Sequence, residues 1–238
     1  MKIAYITTAT GKYSTFIDEL VNSGKLNFFP NDETDFIIFT DDETQNFKKE
    51  KNKKIVFQKQ SEFPYDTLKR YHFVNSIEHM LNYDYLFYGN VNMVFKEKIS
   101  HNILPDETQN NLLAVAHPGY YDKKNIEYPY ERNSKSTAYI KHGEEGNMYY
   151  QGCFYGGKKE DFLKMSRELQ KNIDEDLKNN IIAIWWDESH TNKYFMKFPP
   201  KALSPAYAFP EVYPHLPFKK RILQLNKTRF GGHSFLRN

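Results

Sequence analysis

A single cysteine, Cys153, is the whole thiol content of the 238 residues. That excludes an intrachain disulfide and suits the reducing interior of a cell, so a cytoplasmic location is expected. No stretch approaches the ~20 consecutive apolar residues of a membrane-spanning helix. The N-terminal "MKIAYITTATGKY" carries too short an apolar run for a signal peptide or an anchor. Membrane association is therefore expected to be peripheral at most, at the inner face. An excess of one charge is also missing: 33 basic and 30 acidic residues leave +3, no footprint for nucleic acid. The basic run "KKEKNKK" at 48–54 reads as a solvated loop face. No repeat, low-complexity linker or composition break divides the chain, whose 238 residues suit one domain with a sizeable core.

Aromatics are plentiful, with 18 Tyr and 19 Phe. Aromatic faces pack on sugar rings, but they also fill cores, so composition alone decides nothing. Order along the chain is more informative. "KIAYITT" (2–8), "DFIIFTDD" (35–42), "KIVFQKQ" (54–60) and 84–89 read as strands. Between them, Phe16, Ile17, Leu20 and Val21 repeat at helical spacing, and Leu68, Tyr71, Val74, Ile77 and Leu81 mark one face of a helix with Asp66 as its N-cap. This order predicts an α/β fold with a mostly parallel sheet and ligands at the strands' C-terminal ends. Farther on, "NLLAVAHPGYY" (111–121) reads as strand then turn, and "MYYQGCFYGG" (148–157) as a strand closing in two glycines. Phe162, Met165, Leu169 and Ile173 mark a helix, and another begins at Asp187. Residues 122–148, broken by Pro129 and Gly143, form a long loop, a length that is uncommon unless functional.

Candidate chemistry falls where strands end or helices begin. Thr8 to Tyr13, including Ala9 and Thr10, follow the first strand, where backbone and the Tyr13 face could hold a nucleotide base. Asn90 and Asn92 follow the fourth, His117 the fifth, and Asp187 with Glu188 opens a helix. Each also has an ordinary reading: a helix-entry aromatic, an Asn-rich turn, a turn histidine, and helix-capping carboxylates. Their shared location is what joins them.

The joined set resembles glycosyltransferase family 6, which includes the blood-group A and B transferases and α-1,3-galactosyltransferase. The resemblance runs from "GKY" (11–13) to "LRN" (236–238), and its most specific pieces are "HPGYY" (117–121), "YPYERN" (128–133), "YYQGCFYGG" (149–157) and "WWDESHTNKY" (185–194). It implies a GT-A fold: a nucleotide-binding sheet, mainly 1–95, fused to an acceptor-binding and catalytic region, mainly 110–200. It further implies retaining transfer of Gal or GalNAc from a UDP-sugar to a galactose 3-hydroxyl on an oligosaccharide or a glycolipid of lipopolysaccharide type. Glu188 matches the catalytic carboxylate. Asp187, Arg70 and the group at Thr8, Ala9, Thr10 and Tyr13 match donor contacts, and Gln151, Gly152 and Cys153 line the stretch that separates Gal from GalNAc. Lys227 and Arg237 resemble basic C-terminal residues that close over the diphosphate. His117, Tyr130, Trp185 and Trp186 fall on the acceptor side.

One departure is chemical. Asn90-Val91-Asn92 stands in the place of a metal-binding Asp-X-Asp. Two neutral amides hold a hard dication far more weakly than carboxylates do, so no metal cofactor is expected and Lys227 and Arg237 are expected to supply the charge. Trp186 stands where vertebrate members carry His, Pro129 replaces a Thr, and Asn133 replaces an Arg, which leaves the acceptor open. No counterpart of the vertebrate membrane anchor and stem is expected. Two other readings fit the same motifs: a UDP-sugar hydrolase, and a catalytically silent carbohydrate-binding protein.

Overall fold

The protein, described here from a computed structural model covering residues 1–46 and 51–237, is built on a seven-stranded sheet. Its strands are β1 (Lys2–Thr8), β2 (Glu33–Thr40), β3 (Lys53–Phe57), β4 (Tyr85–Gly89), β6 (Leu112–Ala116), β7 (Tyr150–Lys158) and β8 (Lys201–Leu203), in the order β3-β2-β1-β4-β7-β6-β8. β5 (Met93–Phe95), β9 (Phe209–Pro210) and β10 (Ile222–Gln224) form a second, three-stranded sheet. The long sheet is mostly parallel, as expected, with β7 running against both β4 and β6.

Why these strands are so apolar follows from their position. Along β1, Ile3 and Tyr5 face one core while Ala4 and Ile6 face the other, and all four are fully buried. The first core is aromatic: Phe28, just after α1 (Ile17–Asn27), meets Tyr5, Phe36, Phe87, Phe95 and Phe154 at ring distances of 4.8–6.5 Å. Opposite it lie α3 (Arg70–Ser76), α4 (Lys159–Lys178) and α5 (Asp187–Lys197). The predicted stripe Phe162, Met165, Leu169 and Ile173 is buried in α4, and α5 begins at Asp187 as expected.

Strand direction builds the site. β1, β4 and β6 end at one edge of the sheet, and antiparallel β7 begins there. Because Gly89 pairs with Phe154, residues 150–153 extend past the end of β4, and the Asn90 amide continues the pairing to Cys153 O at 2.9 Å. The order reverses between β1 and β4, where open α/β sheets bind ligands. The small sheet returns the tail to the same edge, since β10 pairs antiparallel with β5.

Several expectations need correction. The helix expected through 68–81 is interrupted: α2 (Tyr65–Leu68), α3 and a 3-10 turn at Glu78–Met80 share it. Pro64 is its N-cap, so Asp66 lies in the first turn and accepts instead from the Thr10 hydroxyl at 2.6 Å and the Ser61 amide at 3.0 Å. Residues 48–50 of the basic run lie outside the described residues. Lys53 and Lys54 belong to edge strand β3, where Lys54 pairs with Asp35 at 2.8 Å. The loop 122–148 contains only a 3-10 turn at Asn125–Glu127, yet it encloses its own small core of Tyr128, Tyr130 and Ile140 against Tyr149.

The double glycine of β7 has a packing reason. A Cβ on Gly156 would lie 2.6 Å from both the Leu86 carbonyl oxygen and a Phe87 ring carbon. Backbone cannot yield as a side chain can, so Gly156→Ala is expected to cost about 1–3 kcal/mol. Urea unfolding measures it, and an unchanged midpoint would show that β4 and β7 are not packed this closely.

Candidate active site

At that edge lies a cavity of about 470 Å³, within the range of small-ligand sites at ~300–1,000 Å³. Its floor is made where β7 meets the start of α5. Gly152 allows the contact: a Cβ there would lie 3.2 Å from Asp187 Oδ2 and 3.3 Å from Glu188 Cβ. The Gly152 amide donates to Glu188 Oε2 at 2.6 Å, and the Tyr149 hydroxyl donates to Oε1 at 2.8 Å. Burial pushes the Glu188 carboxyl up to about 7, against the pull of those two hydrogen bonds. Asp187, 1% exposed, is pushed up by burial to about 6, with Arg70 opposing. The Arg70 Nε lies 3.1 Å from Asp187 Oδ2, its Nη1 donates to the Gly152 carbonyl, and its guanidinium stacks on Tyr88. One arginine thus braces both halves of the floor.

The entry to α5 is strained. Trp186, its N-cap, has φ +54° and ψ −125°, a backbone conformation that costs a bulky residue on the order of 1–3 kcal/mol and persists only where neighbours enforce it. The Trp186 amide donates to Ala183 O at 2.9 Å, and the Trp185 amide to Ser189 Oγ at 3.0 Å. Trp185 is 39% exposed at the cavity wall, and Trp186 meets Phe63 edge to face at 4.7 Å.

His117, after β6, has its Nδ1 occupied by the Gly119 amide at 3.1 Å, and burial lowers its pKa to about 4. A neutral ring accepting at Nδ1 keeps its proton on Nε2, which makes Nε2 a donor. On the opposite wall, Thr8 shares a hydrogen bond with the Tyr88 hydroxyl at 2.9 Å, and Thr10 is held by Asp66. Tyr13 faces the ammonium of Lys227, 5.1 Å from its ring centroid.

The tail forms the roof. Asn92 Nδ2 donates to the Leu225 carbonyl at 2.8 Å, and the Leu225 amide returns a bond to Asn92 O at 2.9 Å. Lys227 follows two residues later. Beyond Gly231 and Gly232, at φ +90° and +79°, α6 (Gly232–Arg237) sets Arg237 on the Phe63 ring at 3.5 Å. Among the described residues no carboxylate pairs with Lys227 or Arg237. Burial, with the Arg237 charge adding to it, lowers Lys227 to about 8.

Of the expected residues, Thr8, Thr10, Tyr13, Arg70, Asn90, Asn92, His117, Gln151, Gly152, Cys153, Trp185, Trp186, Asp187, Glu188, Lys227 and Arg237 all line this cavity. Two do not. Ala9 is fully buried, with its amide on Phe39 O and its carbonyl taking the Thr40 hydroxyl. Tyr130 is buried behind the wall, donating to Met148 O and packing its ring 5.4 Å from that of Tyr149. Sequence reasoning did not single out Tyr149, Gln60, Phe63 or His233. Tyr149 stood inside a quoted motif, but nothing local signals a hydroxyl bonded to a carboxylate 39 residues away.

A family model described as Glycosyltransferase family 6 matches residues 1–237. The chain is 33% identical over 214 residues to the O-antigen biosynthesis glycosyltransferase WbnI of Escherichia coli, covering 90% of this chain and 89% of that protein. To globoside alpha-1,3-N-acetylgalactosaminyltransferase 1 of Gallus gallus it is 30% identical over 226 residues, 91% of this chain and 64% of that one. To histo-blood group ABO system transferase 1 of Rattus norvegicus it is 35% identical over 159 residues, 65% and 43%. The matches span less than two thirds of either vertebrate protein.

The raised Glu188 carboxyl has a consequence for stability. A carboxyl with its folded pKa near 7 keeps a proton that the unfolded chain, near 4.5, has lost, so stability falls as pH rises between those values. Glu188→Gln removes that loss. Its stability relative to the parent is expected to rise by on the order of 1–3 kcal/mol from about pH 4.5 to about pH 8, on top of a constant offset from altered hydrogen bonds. Urea unfolding at both pH values checks this, and an identical difference at each would mean that Glu188 titrates normally.

Proposed function

The chain belongs to glycosyltransferase family 6, and on that premise we propose that it is a retaining, metal-independent hexosyltransferase. It moves Gal, or less readily GalNAc, from UDP to the 3-hydroxyl of a galactose-containing glycan. The observation that carries this is Glu188, held by the Gly152 amide and the Tyr149 hydroxyl in a cavity shared with Lys227 and Arg237, with which no carboxylate among the described residues pairs. In the reaction the bond from the anomeric carbon to the β-phosphate oxygen breaks, and its electron pair leaves with UDP. The acceptor hydroxyl oxygen forms the new bond to that carbon, and its proton goes to the departing phosphate oxygen of UDP. Glu188 meets the positive charge that develops on the sugar, as nucleophile or as electrostatic stabiliser. Lys227 and Arg237 meet the negative charge that develops on UDP.

A divalent ion, the usual counter-charge in Asp-X-Asp members, does not suit the residues present. Positions 90 and 92 carry neutral amides, and the Asn92 nitrogen is committed to Leu225 O. One neutral oxygen, Asn92 Oδ1, is left buried without a partner. That is a poor donor set for a hard cation. His117, with its Nε2 proton, and Trp185 supply a hydroxyl partner and a stacking face for the acceptor. The name of the E. coli relative refers to O-antigen biosynthesis, which favours an acceptor of lipopolysaccharide type. Among the described residues no helix is long and apolar enough to cross a membrane, which suits an enzyme working in the cytoplasm or at the inner membrane face.

Turnover of UDP-Gal with a galactose-terminated acceptor is expected to persist in excess EDTA and to gain little from manganese, while Glu188→Gln lowers kcat by ~100-fold or more. Product analysis with and without acceptor is the measurement. Activity lost to EDTA and restored by manganese would overturn metal independence, and a Glu188→Gln enzyme near parental kcat would remove Glu188 from the chemistry.

Donor choice turns on Cys153. Its buried thiol lines the cavity and occupies volume that an N-acetyl group would need. UDP-Gal is therefore the expected preference, and Cys153→Gly should raise relative UDP-GalNAc use by roughly 5-fold or more. Side-by-side kcat/KM decides this. A parental preference for UDP-GalNAc would defeat the steric argument.

A further inference from the structure

One buried carboxylate takes no part in the chemistry above. Glu131, in the 122–148 segment, is 7% exposed and does not line the cavity. Among the described residues no lysine or arginine forms an ion pair with it. Both its oxygens accept backbone amides: Oε1 from Asn133 at 2.7 Å and Oε2 from Ile184 at 2.7 Å. The first bond turns the segment on itself. The second crosses 53 residues to the irregular turn that leads into α5.

Of that turn Ala183 is buried, but Ile182 and Ile184 are 43% and 55% exposed and add little packing. It ends at the strained Trp186, so its conformation depends on hydrogen bonds. Trp186 to Ala183 O and Trp185 to Ser189 Oγ are local. The Ile181 amide reaches Asp176 O of α4 at 2.8 Å. Glu131 supplies the tie from the 122–148 segment. Asp176, 1% exposed, anchors that segment in turn, accepting from Ser136 Oγ at 2.5 Å and from the Thr137 amide at 2.7 Å. Two buried carboxylates therefore fix the segment to α4 and to the entry of α5.

We propose that Glu131 is a positioning residue: by holding the Ile184 amide it keeps Trp185 and Trp186, at the cavity wall, in register with the 122–148 segment, so that the donor sugar meets a glycan hydroxyl rather than water. The proposal rests on the transferase reading above. The bonds that hold the Glu188 carboxylate come from Gly152 of β7 and from Tyr149 just before it, not from this turn. Donor activation should therefore survive the loss of Glu131 while acceptor placement does not.

Glu131→Gln keeps the size and one acceptor oxygen but turns an NH2 group toward one of the two amides. Losing one charge-assisted bond corresponds to roughly 10-fold. That is the fall expected in acceptor kcat/KM and in the ratio of transfer to UDP-sugar hydrolysis, with the Kd for UDP within about 2-fold. Hydrogen exchange across 181–186 should quicken by a similar roughly 10-fold factor. A merely structural role would lower transfer, hydrolysis and UDP binding together and leave their ratio unmoved; that result, or an unchanged exchange rate, overturns the proposal. Glu131→Asp, which keeps the charge but is too short to reach both amides, gives the same readouts if the Gln variant does not fold. A parent protein that turns over no UDP-sugar overturns the transferase reading along with this one. An active parent whose ratio matches that of the variant overturns this one alone.

Discussion

The Gly152 amide and the Glu188 carboxylate meet at 2.6 Å, and the site is arranged around that approach. It brings a strand and a helix entry so close that a Cβ at 152 would lie 3.2 Å from Asp187 Oδ2 and would need its neighbours to shift. It also requires β7 to run past the end of β4, so that residues 150–153 reach the ligand side of the sheet, with Tyr150 still paired to Ala116 of β6. Finally it requires a reversal of the chain at Trp186 that few residues adopt willingly. Arg70 makes the arrangement tenable. It meets Asp187 and the Gly152 carbonyl together, so the charge of the neighbouring carboxylate is matched without drawing on Glu188. Glu188 keeps its charge-stabilising capacity for what enters the cavity.

Burial acts on the two sides of the cavity in opposite senses. On the floor it raises the Asp187 and Glu188 carboxyls, and in the roof it lowers the Lys227 ammonium. Each ionised group is therefore more costly in the empty cavity than it would be in water. A bound diphosphate would relieve the cost in the roof, and a developing oxocarbenium the cost on the floor. On the proposed reading the site is complementary to the separated charges of a breaking glycosidic bond more than to the intact donor, the condition for accelerating a reaction and not merely binding its substrate.

Much of this was legible in the sequence, for identifiable reasons. β1 matched its expected bounds because a strand covered on both faces is apolar throughout and flanked by polar residues. α4 was legible because its apolar residues fall on one stripe. Most of the expected residues, though not Ala9 or Tyr130, line one cavity because strand ends converge on one edge in such a fold. β5, β9 and β10 left no signal: strands of two or three residues are too short for periodicity to register, and their pairing is non-local. Asp66 reads as a cap in the sequence because the capping preference is local, whereas its partner Thr10 lies 56 residues away. Ala9 was grouped with its neighbours, but alternate residues of a strand end face opposite ways, and its polar groups were already used within the fold.

The Asn-Val-Asn turn has a role that absence of charge alone does not describe. An aspartate at position 92 would present oxygens to the Leu225 carbonyl, two acceptors face to face, and the tail would lose its anchor. The amide that binds a metal poorly is therefore the group that can donate to the tail. Proposing that Lys227 and Arg237 replace an ion then carries a specific physical trade. A metal must be recruited from solution, whereas a lysine on the same chain is present at a high effective concentration once the tail is ordered. Ordering costs conformational entropy, and it is met by contacts remote from the reacting atoms: Phe230 on Phe16 at 4.5 Å, Lys12 over Phe235 at 4.0 Å, and Gln60 to Arg237 O at 3.1 Å. Those contacts lie on the loop after β1 and the stretch after β3, the same walls that would hold the nucleotide. A nucleotide that stiffens those walls stiffens the seat of the tail, so binding of the donor and placement of the two cations favour each other.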